Sequence, residues 1–140
     1  MTTDMRKAAA ELQDLLERFA ALSECATRAC DTGDSTALGA ALDARDLVNG
    51  RAGSLARELA QQRRATTGKA AREAFDAVLA PVRAAAALAE GRNDELARQA
   101  RNARTAIGEQ LDRLRHDAAA RSAYAATAER GERPRLDLTR

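Results

Sequence analysis

Apolar positions repeat at helical spacing along most of the chain. The first part contains two stripes with alternating intervals of three and four residues, which is the pattern of a helix with one buried face. The first stripe consists of Leu12, Leu15, Phe19, Leu22, Ala26 and Ala29. The second consists of Leu38, Ala41, Val48, Ala52, Leu55 and Leu59. We therefore predict one helix from about Asp4 to Asp31 and another from about Thr36 to Arg64.

A short break separates these two helices. Gly33 can adopt the left-handed conformation that ends a helix, and Asp34 or Ser35 offers an N-cap for the next one. Because so short a link brings consecutive helices back alongside each other, the pattern predicts an antiparallel helical hairpin.

The apolar pattern resumes after a polar, basic stretch from Gln61 to Gly68, which we interpret as a loop. The third stripe consists of Phe75, Val78, Leu79, Val82, Leu96, Ala100, Ala103, Ile107, Leu111 and Leu114. Pro81 removes a backbone donor, and the run from Glu90 to Asn93 is polar. One kinked helix and two separate helices over residues 69–126 both remain compatible with this pattern.

Together these elements predict an all-α fold. An antiparallel hairpin and a long third helix, kinked or broken at Pro81, would form a three- to four-helix, coiled-coil-like bundle over residues 1–126. Residues 127–140 lose the apolar periodicity, so we expect them to form a mobile polar C-terminal tail.

One charged residue interrupts the second stripe. Arg45 falls at a heptad core position, where its stem can pack while its guanidinium reaches an acid on the first helix. We predict that this pairing has a structural role and fixes the register of the hairpin. A tilted stripe that leaves Arg45 in solvent is the alternative.

The composition predicts a thin core. Of the 140 residues 45 % are apolar, but alanine dominates that fraction and only 2 % are aromatic. Because burial stabilises in proportion to apolar area, an alanine-rich seam gains less than a seam of leucine and phenylalanine. Such a bundle would be stabilised further by a partner that covers more of its apolar surface.

Charge is nearly balanced overall but unevenly distributed. The net charge is +2, whereas residues 1–50 hold nine acids and five bases, and residues 51–72 hold six bases and Glu58 as their one acid. Solvated faces with complementary charge explain this distribution, and a docking surface is the alternative. The near-neutral total and the scarcity of aromatic residues argue against nucleic acid as a partner.

The sequence offers little catalytic chemistry. His116 is the one histidine and lies in a strongly polar stretch, and no nucleophile elbow or phosphate-binding glycine motif occurs. Cys25 and Cys30 are five residues apart on one helix, on different faces, so neither a disulfide nor a metal site is expected. We predict that the protein is not an enzyme and uses no cofactor or metal.

The chain contains no run of about 18 apolar residues, and its first residues lack the apolar stretch of a secretory signal. We therefore expect a cytoplasmic protein without membrane insertion. Its stripes offer more apolar surface than three helices need. The surplus would accept an amphipathic helix of another protein or a second copy of the chain.

This organisation resembles the FlgN/FliT-type flagellar type III export chaperones over most of the chain. The residues that carry the resemblance are Leu22-Ser23-Glu24 to Gly33-Asp34-Ser35, Leu42-Asp43-Ala44-Arg45-Asp46-Leu47-Val48, Asn93, Leu114 to Tyr124 and Leu136-Asp137. It implies a small helical chaperone of the bacterial flagellum that holds the C-terminal helical segment of a hook-associated or filament-cap protein. Such a chaperone keeps its client unpolymerised and delivers it to the export gate.

The resemblance also implies which residues bind. The partner-binding residues would be Leu96, Ile107, Leu111, Leu114 and Tyr124. Tyr124 would match the C-terminal tyrosine that the family uses at the export gate. From the residues alone, a bundle-end position with the ring half packed is an equal alternative for Tyr124. A self-associating structural bundle without a client is the alternative for the whole chain.

Overall fold

The computed structural model describes residues 2–130, and in this range the fold is all-α. The described chain forms three helices, α1 (Thr3–Thr32), α2 (Ser35–Ala65) and α3 (Lys69–Glu129). The predicted fold class is therefore confirmed. No helix in residues 2–130 is both long and apolar enough to cross a membrane.

The turn between α1 and α2 forms as the sequence predicts. Gly33 ends α1 at φ 70°, a left-handed conformation that glycine adopts without a Cβ clash. The next residue, Asp34, begins α2 because its carboxylate accepts a hydrogen bond from the Ala37 amide at 3.0 Å.

The third element is one helix. Pro81 lies inside α3 without ending it, and the polar run from Glu90 to Asn93 is helical. The predicted loop from Gln61 to Gly68 is shorter than expected, since α2 continues to Ala65. Thr127–Glu129 of the predicted tail belong to α3, and its residues from 131 onward lie outside the described range.

The described chain divides into two compact units, with the boundary between Arg101 and Asn102. In the first unit, contacts between helices define a three-helix bundle. Arg51 of α2 meets Glu11 of α1 at 2.8 Å, and Asp31 near the end of α1 accepts from Gln99 of α3 at 2.6 Å. Ser23 also meets Arg45, and Glu24 meets Arg92. The order of these contacts makes α1 antiparallel to α2 and parallel to α3.

Two apolar clusters form the core of this bundle. The larger one consists of Ala9, Leu12, Ala52, Leu55, Leu59, Phe75 and Val82. The smaller one consists of Ala26, Ala41 and Leu96. The predicted α2 stripe is buried except for half-buried Leu38.

The α1 stripe differs from the prediction in register. Its buried residues are Ala9, Leu12, Ala20, Ser23, Ala26 and Ala29. Leu15, Phe19 and Leu22 are half-buried instead. The reason is that both α2 and α3 pack on α1, so its buried face is wider than one heptad stripe and centres on the smaller side chains.

A three-residue ionic cluster joins the end of α2 to the start of α3. Arg63 donates from Nε and Nη2 to the two carboxylate oxygens of Asp76, at 2.9 and 3.0 Å, and Arg83 donates to Oδ1 at 3.3 Å. These hydrogen bonds, that of Arg63 first, lower the pKa of Asp76 from its ordinary 3.8 to about 2.

The cluster makes stability depend on pH. Because the pKa of Asp76 is lower in the folded chain than in the unfolded chain, its carboxylate stabilises the fold above about pH 4, and that stabilisation is lost as pH falls toward 2. We expect Asp76→Asn to lower Tm at pH 7, and the Tm gap from wild type to shrink steadily between pH 4 and 2. Thermal melts followed by circular dichroism measure both.

Asp43→Asn is the matched control, since Asp43 is exposed and forms no ion pair in the described range. Its Tm should follow that of the wild type throughout. A gap between wild type and Asp76→Asn that stays constant from pH 7 to pH 2 would contradict the assigned role of Asp76.

Candidate helix-binding surfaces

A polar layer lies between the two apolar clusters of the bundle. Arg45 of α2 donates from Nη1 to Asn93 Oδ1 of α3 at 3.0 Å and to Ser23 Oγ of α1 at 3.4 Å. Its guanidinium carbon lies 4.9 Å from the centroid of the Phe19 ring. The nitrogen Nε of Arg45 is buried and has no hydrogen-bond partner within residues 2–130. The guanidinium therefore contacts both of the other helices.

The sequence predicted the inward position of Arg45 but not its partners. An acid on α1 was expected, whereas the described contacts are to a hydroxyl, an amide oxygen and an aromatic face. The acids of α1 point elsewhere: Glu11 and Glu24 pair with arginines at the bundle surface. A signal was available, since Ser23 and Asn93 both lie at positions that continue the 3–4 spacing of buried residues on their own helices, where the other members are apolar.

The predicted partner-binding residues separate into two environments. Leu96 is only 6 % exposed and packs with Ala26 and Ala41 in the bundle. By contrast Ile107 is 56 %, Leu111 47 % and Leu114 64 % exposed. Leu96 is therefore a core residue of the first unit, because α1 and α2 extend far enough to cover it.

The remaining three side chains form a continuous surface on α3, which we call the distal stripe: Ile107, Leu111 and Leu114. Their spacing of four and three residues places them on one side of the helix. No residue from 102 to 130 is buried. Tyr124 is 64 % exposed, so its ring is not packed at a bundle end, and it lies beside the stripe rather than on it.

A second apolar surface, which sequence reasoning missed, is a groove between α2 and α3. Two adjoining cavities of about 360 and 300 Å³ share Leu12, Ala56 and Val82 as lining residues, so they form one groove. We call it the α2/α3 groove. Its remaining lining residues are Leu16, Asn49, Ala52, Gly53, Leu59, Ala60, Arg63, Arg64, Leu79, Arg83 and Ala86. The recurrence of Ala and Gly at positions 49–60 was the available signal.

Groups with chemical reactivity are not assembled into a site in the described range. His116 is exposed, and residues 2–130 contain no group of three or more His, Cys, Asp and Glu placed to hold a metal ion. Cys25 is exposed and Cys30 half-buried, and both are free thiols. What the structure offers is apolar surface bordered by charge.

Comparison with known proteins yields no match to a family model, to a curated protein or to a solved structure.

The polar layer predicts a specific stability cost. Arg45→Ala removes a charged hydrogen bond and a ring contact and should lower the free energy of unfolding by about 1–3 kcal/mol. Arg45→Met keeps the apolar stem and should cost less. Combining Arg45→Ala with Asn93→Ala should be less damaging than the sum of the single changes, because both remove the same hydrogen bond. Denaturant melts of the wild type, the three single variants and the double variant measure these free energies of unfolding. Additive costs in the double variant, or a free energy of unfolding that Arg45→Ala leaves unchanged, would reject the pairing.

The two environments of the predicted site residues give a second test. Leu96→Asp puts a carboxylate into the core and should destabilise the bundle by more than about 3 kcal/mol or unfold it. Leu111→Asp, on an exposed position of the same helix, should leave Tm within a few degrees of wild type. Equal melting temperatures for the two variants would show that Leu96 is not a core residue.

Proposed function

We propose that this protein is a flagellar type III export chaperone. It binds the C-terminal amphipathic helix of a hook-associated or filament-cap protein in the cytoplasm, prevents premature polymerisation and delivers the client to the export gate. The observation that carries the proposal is the distal stripe. Three large aliphatic side chains at 4–3 spacing, all exposed, provide the kind of face on which an amphipathic helix packs.

The chemistry of binding follows from the exposed area. Packing a client helix on Ile107, Leu111 and Leu114 removes apolar surface from water on both proteins, which favours the complex. The same contact covers the apolar face that the client needs for polymerisation.

Tyr124 has a separate part in the proposal. Its ring is exposed and lies off the line of the stripe, so a bound client helix would leave it accessible. A phenol combines a flat apolar surface with a hydrogen-bonding end, which suits a protein contact. We assign Tyr124 to the contact with the export gate.

The alternative function is a self-associating bundle without a client. The observation that favours it is the same 4–3 spacing, which is also that of a coiled-coil seam and would be satisfied by the stripe of a second copy. The two functions differ in the mass of the purified protein. Self-association requires a dimer or larger at micromolar concentration, whereas binding a client does not.

Isothermal titration calorimetry of the full chain with candidate client segments tests the chaperone proposal. We expect one-to-one binding between the full chain and the C-terminal helical segment of a hook-associated or filament-cap protein from the same organism. The double variant Leu111→Asp and Leu114→Asp should abolish that binding, because two carboxylates would face the apolar side of the client. The reduction in affinity should be about a hundredfold or more.

The control places the same charges on the opposite side of the helix. Ala120 and Ala123 are exposed and each lies at least about 120° around the axis from both Leu111 and Leu114, so Ala120→Asp with Ala123→Asp should leave the affinity unchanged. Loss of binding in both double variants would reject the distal stripe as the binding face. No heat with any such segment, together with a dimeric mass, would favour self-association.

A further inference from the structure

The α2/α3 groove has an apolar floor and small walls. Leu12 of α1 and Val82 of α3 are buried at its bottom, and Leu16 is half-buried beside them. Above the floor, Ala56 and Ala60 on α2 and Ala86 on α3 are exposed. Because these side chains are short, neither helix fills the space between them. The groove is therefore a trough with a hydrophobic base that is open to solvent.

The length of the groove fits a helix rather than a small molecule. On α2 it extends from Asn49 to Arg64, which is about 22 Å at the helical rise. On the side away from the opening, α1 already packs against both α2 and α3. A fourth helix laid along the trough would complete the packing in the way that antiparallel bundles do.

Charge at one end of the groove restricts which helix can bind. Arg63, Arg64 and Arg83 line it, and Asp76 is shared by Arg63 and Arg83. Arg57 lies at the edge, since its Nη1 would be 3.7 Å from a Cβ built on Gly53.

Of these four arginines, Arg57 and Arg64 contact no carboxylate in the described range. Arg57 donates to the Ser54 hydroxyl at 3.4 Å instead. Arg63, Arg64 and Arg83 at this end of the groove thus share one carboxylate, a local excess of about two positive charges, and Arg57 adds another beside the middle of the groove.

We propose that the α2/α3 groove binds an amphipathic helix of another protein that carries leucine-sized side chains on one face and carboxylates beside them. The leucines pack over Leu12, Leu16 and Val82. The carboxylates pair with Arg57 and Arg64, whose guanidiniums have no acid of their own. This surface lies in the first unit and shares no residue with the distal stripe, so the inference stands or falls independently of the function proposed above.

Complementary charge identifies the occupant. A basic helix would add cations to a site that already has an excess of them, and an uncharged helix would leave Arg57 and Arg64 unpaired, whereas an acidic one neutralises both. A second copy of the chain could use its distal stripe, but Arg104 and Arg115 beside that stripe outnumber Asp117, and they would oppose the arginines of the groove. The acidic partner is therefore favoured.

The test uses two synthetic helices of about 18 residues, long enough to span the groove. Both carry leucines at i, i+3, i+4 and i+7 spacing on an alanine background. One has glutamates beside the leucines and the other has lysines. Calorimetric titration into the full chain should show one-to-one binding of the glutamate peptide, with the lysine peptide at least about tenfold weaker. Equal affinity for the two peptides, or no binding of either, would overturn the proposal.

Two sets of variants locate the binding. Ala56→Glu puts a carboxylate at the centre of the groove and should weaken the glutamate peptide by about tenfold or more, as should Arg57→Glu with Arg64→Glu. All three positions are exposed, so the variants should fold, and circular dichroism checks this. Binding that survives Ala56→Glu in a folded protein would place the peptide elsewhere and overturn the proposal.

Matched controls repeat these charge changes on the far side of α1. Ala21→Glu lies about 180° from Leu12 around the helix axis, and Arg6→Glu with Arg18→Glu reverses two exposed arginines. Their affinities should equal that of the wild type, and a loss as large as that of the groove variants would overturn the proposal. So would a dimeric mass that Ala56→Glu converts to monomer, because the occupant would then be a second copy.

Discussion

The guanidinium of Arg45 is the one described group that joins all three helices of the bundle by side-chain hydrogen bonds within residues 2–130. Burying part of a cation is costly unless its donors are paired, and in half-buried Arg45 the nitrogen Nη1 donates to both α1 and α3 while Nε has no partner in residues 2–130. The guanidinium also lies near the face of the Phe19 ring. Sliding either helix by one turn would remove Ser23 or Asn93 from reach. A polar group at a core position is a known means of fixing helix register, and the polar layer has the geometry for it.

The register determines which apolar residues are used inside. With Asn93 opposite Arg45, the next turn of α3 brings Leu96 against Ala26 and Ala41. On the other side of the layer, Leu12, Leu55 and Val82 meet. The aliphatic side chains farther along α3, from Ile107 onward, are exposed. The apolar stripe of α3 therefore changes from core to surface although its spacing stays the same.

This change explains what the sequence could and could not predict. Helix bounds followed from periodicity, from Gly33 and from Asp34, because these are local signals. The predicted binding stripe mixed Leu96 with Ile107, Leu111 and Leu114, because heptad spacing shows which side of a helix is apolar and not what covers it. Coverage depends on the lengths of α1 and α2 once they are packed, which is a tertiary property.

The groove was missed for a related reason. Small residues at a seam predict close approach of helices, and between α1 and α2 alanine has that effect, since Ala26 packs with Ala41. Between α2 and α3 small residues face outward and leave a trough, since α1 already occupies the other side. Only the angle at which the three helices pack distinguishes these outcomes. The charges of the groove were likewise only partly predictable. The basic stretch is visible in the sequence, but the pairing of Asp76 with both Arg63 and Arg83 depends on how the helices pack.

The near-neutral net charge conceals how its two signs are placed. Several acids already have partners on neighbouring helices: Glu11 and Glu24 pair with arginines, and Asp31 accepts a hydrogen bond from Gln99. Arginines without a carboxylate partner in residues 2–130, such as Arg57 and Arg64, lie beside exposed apolar surface instead. The apolar part of the groove therefore provides affinity for a partner helix, and its arginines select a helix that carries acids. Added salt should weaken binding because it screens the charges, but the part of the affinity that comes from apolar contact should persist. A nucleic acid would meet the same arginines but could make no use of the apolar floor between them.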